Sequence, residues 1–331
     1  MRGAALAVGA LTILIGCHAV DRYRAPAPLG LDLIAPVPAD NALTRERVAL
    51  GRKLFFDPVM SSDDRVSCAS CHRPDHAFSD TLALSLGVHG RPGRRNAPSL
   101  LNAVYGTTFT WDGRAPSLES QVLLPIQDPS EMNLPLDDLE KRVRAQPAYT
   151  RAFQREFGED PTSRTIALAL ASYLRTLRSG DAPVDRFRAG DTLALSRLAR
   201  FGFSVFTGKA NCTRCHVGPL FTDGSFHNTG IAWQDTAFSD IGRANSTGLT
   251  EDKGRFKTPS LRNVAITAPY MHDGSKRSLE DVIDYYDGGA RRNPGLDSLI
   301  RPLRLTGDEK RALLAFLQSL TSGRGSYSRV N

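Results

Sequence analysis

The chain is dominated by helix-type spacing of apolar residues, and no run of alternating apolar and polar positions predicts a β-sheet. Residues 50–55 and 201–206 have the pattern of the ends of two amphipathic helices, and residues 282–288 that of a third. With 331 residues, of which 41% are hydrophobic and 23% charged, the chain is long and apolar enough for two globular domains with cores. We therefore expect a mostly α protein.

An internal duplication organises this helical chain. Residues 97–119 align without a gap with residues 258–280, and nine of the 23 positions are identical at a constant offset of 161. The helix ends at 50–55 and 201–206 also match in pattern, and each leads towards a CxxCH motif. We expect two units related by an approximate two-fold axis, over residues 44–190 and 191–321.

The N-terminus has the pattern of an export signal. The apolar run at residues 3–15 is too short to span a bilayer as a helix but suits the hydrophobic region of a secretory signal. Cys17 ends a stretch similar to the bacterial lipobox, so we expect residues 1–16 to be a lipoprotein signal peptide and Cys17 to be lipidated. A plain signal peptide is the alternative. The expected location is the periplasm, with the membrane contacted only through the lipid anchor.

Two further segments complete the predicted organisation. Residues 17–43 are rich in proline, which favours an extended tether, and residues 322–331 form a polar tail. The formal net charge of +7 favours acidic partners or anionic surfaces. Because no nucleic-acid motif accompanies this charge, we do not expect nucleic-acid binding.

Four of the five cysteines lie in two CxxCH motifs. This motif is the attachment signature of c-type haem, in which two thioethers hold the porphyrin and the adjacent histidine ligates the iron. A disulfide pair, a zinc site and a thioredoxin-like redox pair are competing interpretations, but two such motifs in an exported chain favour covalent haem. The predicted attachment residues are Cys68, Cys71, His72, Cys212, Cys215 and His216.

The duplication also predicts a difference between the two haem sites. At the offset of 161, Tyr286 corresponds to Pro125, and Tyr285 corresponds to Leu124. Proline has no side-chain ligand to offer, whereas a tyrosine phenolate can ligate iron. We therefore expect the first haem to be open to substrate on its distal side and the second to be closed by Tyr286.

These motifs resemble those of the bacterial dihaem cytochrome c peroxidase superfamily, especially its MauG-like branch. The resemblance covers residues 44–320 and implies two c-type-cytochrome-like α domains facing each other across one calcium ion. It also implies two covalently bound c haems and an oxidoreductase that uses hydrogen peroxide. Besides the CxxCH pairs, it rests on RNAPS (95–99), WDGR (111–114), SEMN (130–133) and PYMHDG (269–274).

At the first haem, the resemblance implies a site that reacts with peroxide. Glu131 matches the distal glutamate that moves a proton between the two peroxide oxygens, and Gln121 and Pro125 match the other distal residues. Trp111 matches an oxidisable tryptophan between the haems. His89 falls near a histidine that caps the first haem in some members until reduction displaces it, and a solvated loop is the alternative.

At the second haem, Tyr286 takes a position that is methionine in ordinary peroxidases of the family and tyrosine in MauG. A phenolate stabilises ferric iron, so this haem should have a low potential. Met271 is the rival ligand, although a packed methionine is the preferred interpretation. The chain departs from MauG at Ala210, where MauG has a surface tryptophan that takes electrons from its protein substrate. The residues matching the calcium ligands are Asn96, Thr267 and Pro269.

The sequence thus predicts an exported dihaem oxidoreductase. Peroxide would react at the N-terminal haem, and oxidising equivalents would pass through Trp111 to the haem held by His216 and Tyr286. The donor would be a c-type cytochrome, a cupredoxin or a protein substrate. Three alternatives stay open: a conventional cytochrome c peroxidase supplied by a small cytochrome, a non-catalytic dihaem electron carrier, and a peroxide sensor.

Overall fold

The structure is a computed structural model that describes Tyr23, residues 27–31 and residues 34–323. Cys17 and the expected signal peptide lie outside the described residues, as does the tail beyond residue 323. Within the described ranges, helices far outnumber strands, which confirms the expected mostly α fold. No helix in these ranges combines the length and the apolar character needed to cross a membrane.

Eleven α-helices lie in the described ranges: α1 (Arg45–Phe56), α2 (Cys68–Cys71), α3 (Leu118–Gln127), α4 (Leu136–Arg144), α5 (Pro147–Phe157), α6 (Ser163–Thr176), α7 (Pro183–Arg188), α8 (Arg197–Thr207), α9 (Ala244–Thr247), α10 (Leu279–Asp287) and α11 (Gly307–Gln318). Four short strands accompany them: β1 (Phe226–Asn228), β2 (Trp233–Gln234), β3 (Ala237–Phe238) and β4 (Arg255–Lys257). They form two antiparallel pairs, β1 with β4 and β2 with β3.

Each unit is built around a close crossing of two helices, α1 with α6 and α8 with α11. Gly51 and Gly202 lie at the crossings, where a Cβ atom would overlap the carbonyl oxygens of Ala169 and Ala312 respectively. Two hydrophobic cores surround these crossings, one in each half of the chain. The sequence match between 50–55 and 201–206 therefore marks equivalent packing positions.

The duplicated segment folds in the same way in both units. Asn102 and Asn263 adopt left-handed conformations, with φ of 63° and 60°, and each precedes a short 3-10 helix. Further along, Ser117 caps α3 and Ser278 caps α10, and each hydroxyl accepts the N–H of the residue three positions on. This correspondence supports the expected duplication, while the boundary at 190/191 stays a prediction.

Polar contacts join the two units. Ser179 donates its hydroxyl to that of Ser322 at 2.8 Å, and the amide of Asn263 donates to Ser179. The guanidinium of Arg95 binds two carboxylates, Asp112 of the first unit at 2.7 Å and Asp240 of the second at 2.7 Å. Because Asp112 is fully buried, this bridge holds the two units in a defined relation.

Part of the predicted tether, residues 17–43, is packed rather than extended. Leu31 is fully buried, and the carbonyl of Leu29 accepts the N–H of Asp181 at 2.8 Å. The carbonyl of Gly30 accepts a hydrogen bond from Arg262 at 2.9 Å. The sequence did not predict these contacts, because most of them are made by main-chain atoms and leave no side-chain pattern.

Candidate active site

The histidines of the two CxxCH motifs are held in the same way. His72 Nδ1 lies 3.0 Å from the carbonyl oxygen of Phe78, and His216 Nδ1 lies 2.8 Å from that of Phe221. Since a carbonyl only accepts, Nδ1 carries the proton and Nε2 keeps its lone pair for a metal. Burial lowers the pKa of both imidazoles, which favours the neutral form that metal ligation requires.

The motif cysteines lie on single helical turns, α2 for the first motif and a 3-10 turn beginning at Cys212 for the second. No disulfide joins any of these four cysteines to another. Burial raises the pKa of Cys68 to about 12 and that of Cys212 to about 12. A thioredoxin-like pair has a depressed thiol pKa, so this environment argues against a redox pair. Two neighbouring, partly buried cysteines beside a neutral histidine fit covalent c haem.

A cavity of about 280 Å³ opens beside the second motif. His216 and Tyr286 both line it, and so does Met271, so both candidate distal ligands are present. Much of its lining is aliphatic, which suits the apolar faces of a porphyrin. These aliphatic residues include Leu279, Ile283, Leu313 and Leu317.

The two tyrosines at the end of α10 have different surroundings. Tyr286 faces the cavity, where burial raises the pKa of its phenol well above the ordinary value. Tyr285 is outside the cavity lining, and its hydroxyl donates to the carbonyl of Thr229 at 2.8 Å. The two rings nevertheless touch edge to face, with centroids 5.6 Å apart. The distinction expected from the duplication thus corresponds to a real difference in position.

A partly buried cation in the same cavity was not anticipated from the sequence. Lys257, on β4, donates Nζ to the carbonyl of Thr108 at 2.7 Å, and no carboxylate in the described ranges pairs with it. Burial lowers the pKa of Lys257 to about 8. A haem propionate would supply the missing counter-charge, so this side chain also fits the cofactor. A single lysine carries no sequence signal for such a role.

His227 also lines the cavity. Its Nδ1 is 2.6 Å from Asp297 and its Nε2 is 3.0 Å from Asp223. Hydrogen bonds to Cys215 and to these two carboxylates raise the pKa of His227 to about 10. With both ring nitrogens engaged, His227 ties the loop carrying Asp297 to the second motif.

The wall between the two units carries Trp111 and the three predicted calcium ligands, all of which line the cavity. Trp111 Nε1 donates to the carbonyl of Asn96 at 2.8 Å, and its ring meets His272 edge to face. The Asn96 side chain is buried, and its Nδ2 donates to the carbonyls of Leu82 and Ala83. The structure therefore brings Trp111, Asn96, Thr267 and Pro269 together.

The three predicted distal residues of the first site are held by neighbouring segments. Gln121 and Pro125 lie four residues apart on α3 and so share one face of it. The carbonyl of Pro125 accepts the N–H of Met132, which ties α3 to the segment carrying Glu131. Gln121 Oε1 is buried without a hydrogen-bond partner among the described residues. Such an orphaned acceptor is what a ligand-binding pocket would leave.

Glu131 is an acidic residue with a raised pKa. Burial, and then the charge of Asp128, raise the pKa of Glu131 to about 6. Its carboxylate in turn contributes to the raised pKa values of Cys68 and Cys71, which shows that it lies near the first motif. A pKa in this range suits a general acid–base near neutrality.

Two other positions singled out by the sequence are His89 and Ala210. His89 is exposed, and its main-chain N–H donates to Asp63, which corresponds to the solvated-loop alternative. Its role as a switchable ligand stays a prediction. Ala210 is 6% exposed and lines the cavity, so the position of the MauG surface tryptophan is here occupied by a buried methyl group.

Two CxxCH turns, each with a neutral histidine free at Nε2, define a dihaem c-type oxidoreductase. Residues 45–193 match the family described as dihaem cytochrome c peroxidase. The chain is 44% identical over 303 residues to the methylamine utilization protein MauG of Methylorubrum extorquens, covering 90% of this chain and 83% of that one. It is 36% identical over 345 residues to the cytochrome-c peroxidase IdrP1 of Denitromonas iodatirespirans, covering 94% and 92%.

Among solved structures, the chain is similar to a MauG-like protein associated with microbial copper homeostasis. The TM-score is 0.82 and the identity 33%, with 92% of this chain and 96% of that chain covered. This chain belongs to the dihaem cytochrome c peroxidase family. It is a haem enzyme, an oxidoreductase that acts on peroxide, as the motifs predicted.

Proposed function

We propose that this chain is a periplasmic, lipid-anchored enzyme that reduces hydrogen peroxide at the first site and oxidises a donor through the second. Bound haem would supply the oxidation chemistry, and the chain supplies its ligands, protons and electron route. The observation that carries the proposal is the position of Tyr286, which shares one cavity with His216. Its counterpart in the first unit, Pro125, has no ligand atom to offer.

Glu131 would transfer a proton between the two peroxide oxygens, and Gln121 would orient the peroxide. Reduction of one hydrogen peroxide to two waters consumes two electrons and two protons. Glu131, with its pKa of about 6, takes the proton from one oxygen and returns it to the departing oxygen. Gln121 Oε1, which has no partner among the described residues, accepts the hydrogen bond of a peroxide O–H and thereby orients the substrate.

Trp111 would carry electrons between the two sites. Its indole lines the cavity that holds His216 and Tyr286, and its N–H bond to Asn96 holds the ring in one position. A single Ca²⁺ bound by Asn96, Thr267 and Pro269 would stiffen this wall through hard oxygen ligands. Lys257 would pair with a propionate of the second haem.

The electron donor is proposed to be a redox protein, either a c-type cytochrome or a cupredoxin, or a protein substrate. Export and anchoring rest on residues 1–16 and Cys17, whose pattern is that of a lipoprotein signal. A conventional cytochrome c peroxidase is the second candidate, because Met271 lines the same cavity as Tyr286.

Optical and EPR spectra of three ferric variants separate these two candidates. We expect Tyr286→Phe to convert the second haem from a low-spin to a high-spin or otherwise ligated form, while Tyr285→Phe and Met271→Leu keep the parent spectrum. A sulfur-to-iron charge-transfer band in the parent protein, lost in Met271→Leu, would replace the proposal with the conventional peroxidase. Identical spectra for both tyrosine variants would show that Tyr286 is not the ligand.

A further inference from the structure

We propose that Tyr285 is a one-electron relay through which the donor returns electrons to the second haem site. This inference rests on the proposed function and adds to it the point of exchange with the donor. The geometry behind it is the contact of Tyr285 with Tyr286 on one side and with partly exposed main chain on the other.

Tyr285 lies between the cavity and the surface. Its ring meets the ring of Tyr286 edge to face, with centroids 5.6 Å apart and an interplanar angle of 75°. Its hydroxyl donates to the carbonyl of Thr229 at 2.8 Å and accepts the N–H of Arg291, a residue that is itself exposed. Tyr285 is half-buried, so its phenol can exchange a proton with solvent as it exchanges an electron.

The position that holds a surface tryptophan in MauG cannot exchange electrons with a donor in this chain. Ala210 precedes the second CxxCH motif by two residues and lines the cavity, but it is buried and has no oxidisable side chain. Tyr270 also lines the cavity, but within the described residues its ring makes no contact with the ring of Tyr286. Tyr285 is thus the oxidisable ring that touches Tyr286 while standing outside the cavity.

Each relay cycle moves one electron and one proton. For each oxidising equivalent, Tyr285 gives one electron towards Tyr286 and the second haem and releases its phenolic proton to solvent. The resulting neutral tyrosyl radical then takes one electron from the donor and one proton from solvent, which restores the phenol. Two such cycles supply the two electrons that one hydrogen peroxide consumes.

Substitution of Lys276 should change the rate of electron transfer through Tyr285 in the opposite direction to substitution of Tyr285 itself. Its ammonium lies 4.6 Å from the centroid of the Tyr285 ring, a cation–π contact. A cation at this position disfavours removal of an electron from the ring. Its removal should make Tyr285 easier to oxidise, and a side chain that only supported the fold would not respond in this way.

The experiment follows the peroxide-oxidised protein by stopped-flow spectroscopy as ferrocyanide reduces it. We expect Tyr285→Phe to lengthen the lifetime of the oxidised state several-fold and Lys276→Met to shorten it, and we expect no change in Tyr173→Phe, a buried tyrosine on α6 outside the cavity lining. EPR of the ferric variants confirms that the ligation of the second haem is intact.

After peroxide treatment without ferrocyanide, peptide mass spectrometry should find oxidation at Tyr285 and not at Tyr270. Unchanged lifetimes in both Tyr285→Phe and Lys276→Met overturn the inference.

A second oxidant separates this result from a failure of the proposed function. If peroxide produces no oxidised state in the unaltered protein, the proposed function fails. Photo-oxidised tris(bipyridine)ruthenium then injects oxidising equivalents without peroxide. Oxidation at Tyr285 that is greater in Lys276→Met than in the parent supports the relay, and equal oxidation in the two proteins overturns it.

Discussion

The indole N–H of Trp111 donates a hydrogen bond to the main-chain carbonyl oxygen of Asn96, 2.8 Å away. The N–H of Asn96 donates in turn to the carbonyl of His272 at 2.7 Å, across to the second unit. A chain of hydrogen bonds therefore fixes the ring between the two halves of the molecule. Because electron transfer depends steeply on distance, a fixed ring is a requirement for a relay.

Replacing Trp111 with Phe should slow electron transfer between the two sites several-fold while both haems stay attached. The substitution also removes the bond to Asn96, which should lower the free energy of unfolding by about 1–2 kcal/mol. Freeze-quench EPR after mixing with peroxide measures the first effect, and thermal unfolding the second.

Trp233→Phe is the matched control, because the chain has two tryptophans and Trp233 lies on β2 outside the cavity lining. Equal transfer rates in the two variants would contradict the relay role of Trp111.

Replacing Glu131 with Gln should slow the reaction with peroxide and remove its pH dependence. In the parent protein the carboxylate must accept a proton, so the rate should rise as pH passes the Glu131 pKa of about 6. Asp128→Asn should move this rise to lower pH, because the charge of Asp128 raises the Glu131 pKa. Stopped-flow rates between pH 4 and 8, a range that includes the ordinary pKa of 4.5 and the raised value of about 6, test both variants. A rate independent of pH in the parent would contradict the role of Glu131.

The same carboxylate should limit stability at neutral pH. The pKa of Glu131 is raised from 4.5 in the folded state, so folding favours the protonated carboxyl. The free energy that the protonated carboxyl contributes to folding is fully present below pH 4.5 and is lost as pH rises through about 6. At pH 7, Glu131→Gln should therefore be more stable than the parent by up to about 2 kcal/mol. Chemical denaturation at pH 4 and pH 7 measures the difference, which should vanish at the lower pH.

Removal of calcium should loosen the wall between the units. Treatment with EGTA should lower the melting temperature and slow electron transfer through Trp111, because Asn96 is both a predicted ligand and the acceptor for the indole. Added Ca²⁺ should restore both properties, and Mg²⁺ should not, because it prefers a smaller octahedral site. Calorimetry and metal analysis of the purified protein give the readout. Protein that contains no calcium and does not respond to EGTA would contradict the predicted site.

Alanine at either helix crossing should destabilise the fold. A Cβ at Gly51 or Gly202 would overlap a carbonyl oxygen of the facing helix, so each substitution should cost about 2–4 kcal/mol. Gly307→Ala is the control: a Cβ on this first residue of α11 meets only Arg311, at 3.5 Å, and should change stability by less than about 1 kcal/mol. Similar unfolding free energies for all three variants would contradict the crossing geometry.

Local features of this protein could be predicted from the sequence because neighbouring residues determine them. Each CxxCH motif can be recognised from five successive residues. The duplication is visible in residues 97–119 and 258–280. The serines that cap α3 and α10 act on N–H groups three positions away. The mostly α fold and the family follow from signals of this kind.

Other features depended on contacts between residues far apart in the chain. Three such features have no local signal: the Gln121 acceptor and the Lys257 cation, which lack a hydrogen-bond donor and a carboxylate respectively among the described residues, and the contact of His227 with Asp297, 70 positions away. The burial of Leu31 within the predicted tether is of the same kind. In each case the environment is created by segments that meet only after folding.

The sequence by itself determined the haem attachment points, the helical fold and the correspondence of Tyr286 with Pro125. Only the tertiary structure decided that Tyr286 faces the cavity while Tyr285 turns to Thr229, and that Glu131 lies near the first motif. Motif and periodicity arise from covalent neighbours, whereas burial and charge, which set a pKa or a redox route, arise from the packing of distant segments.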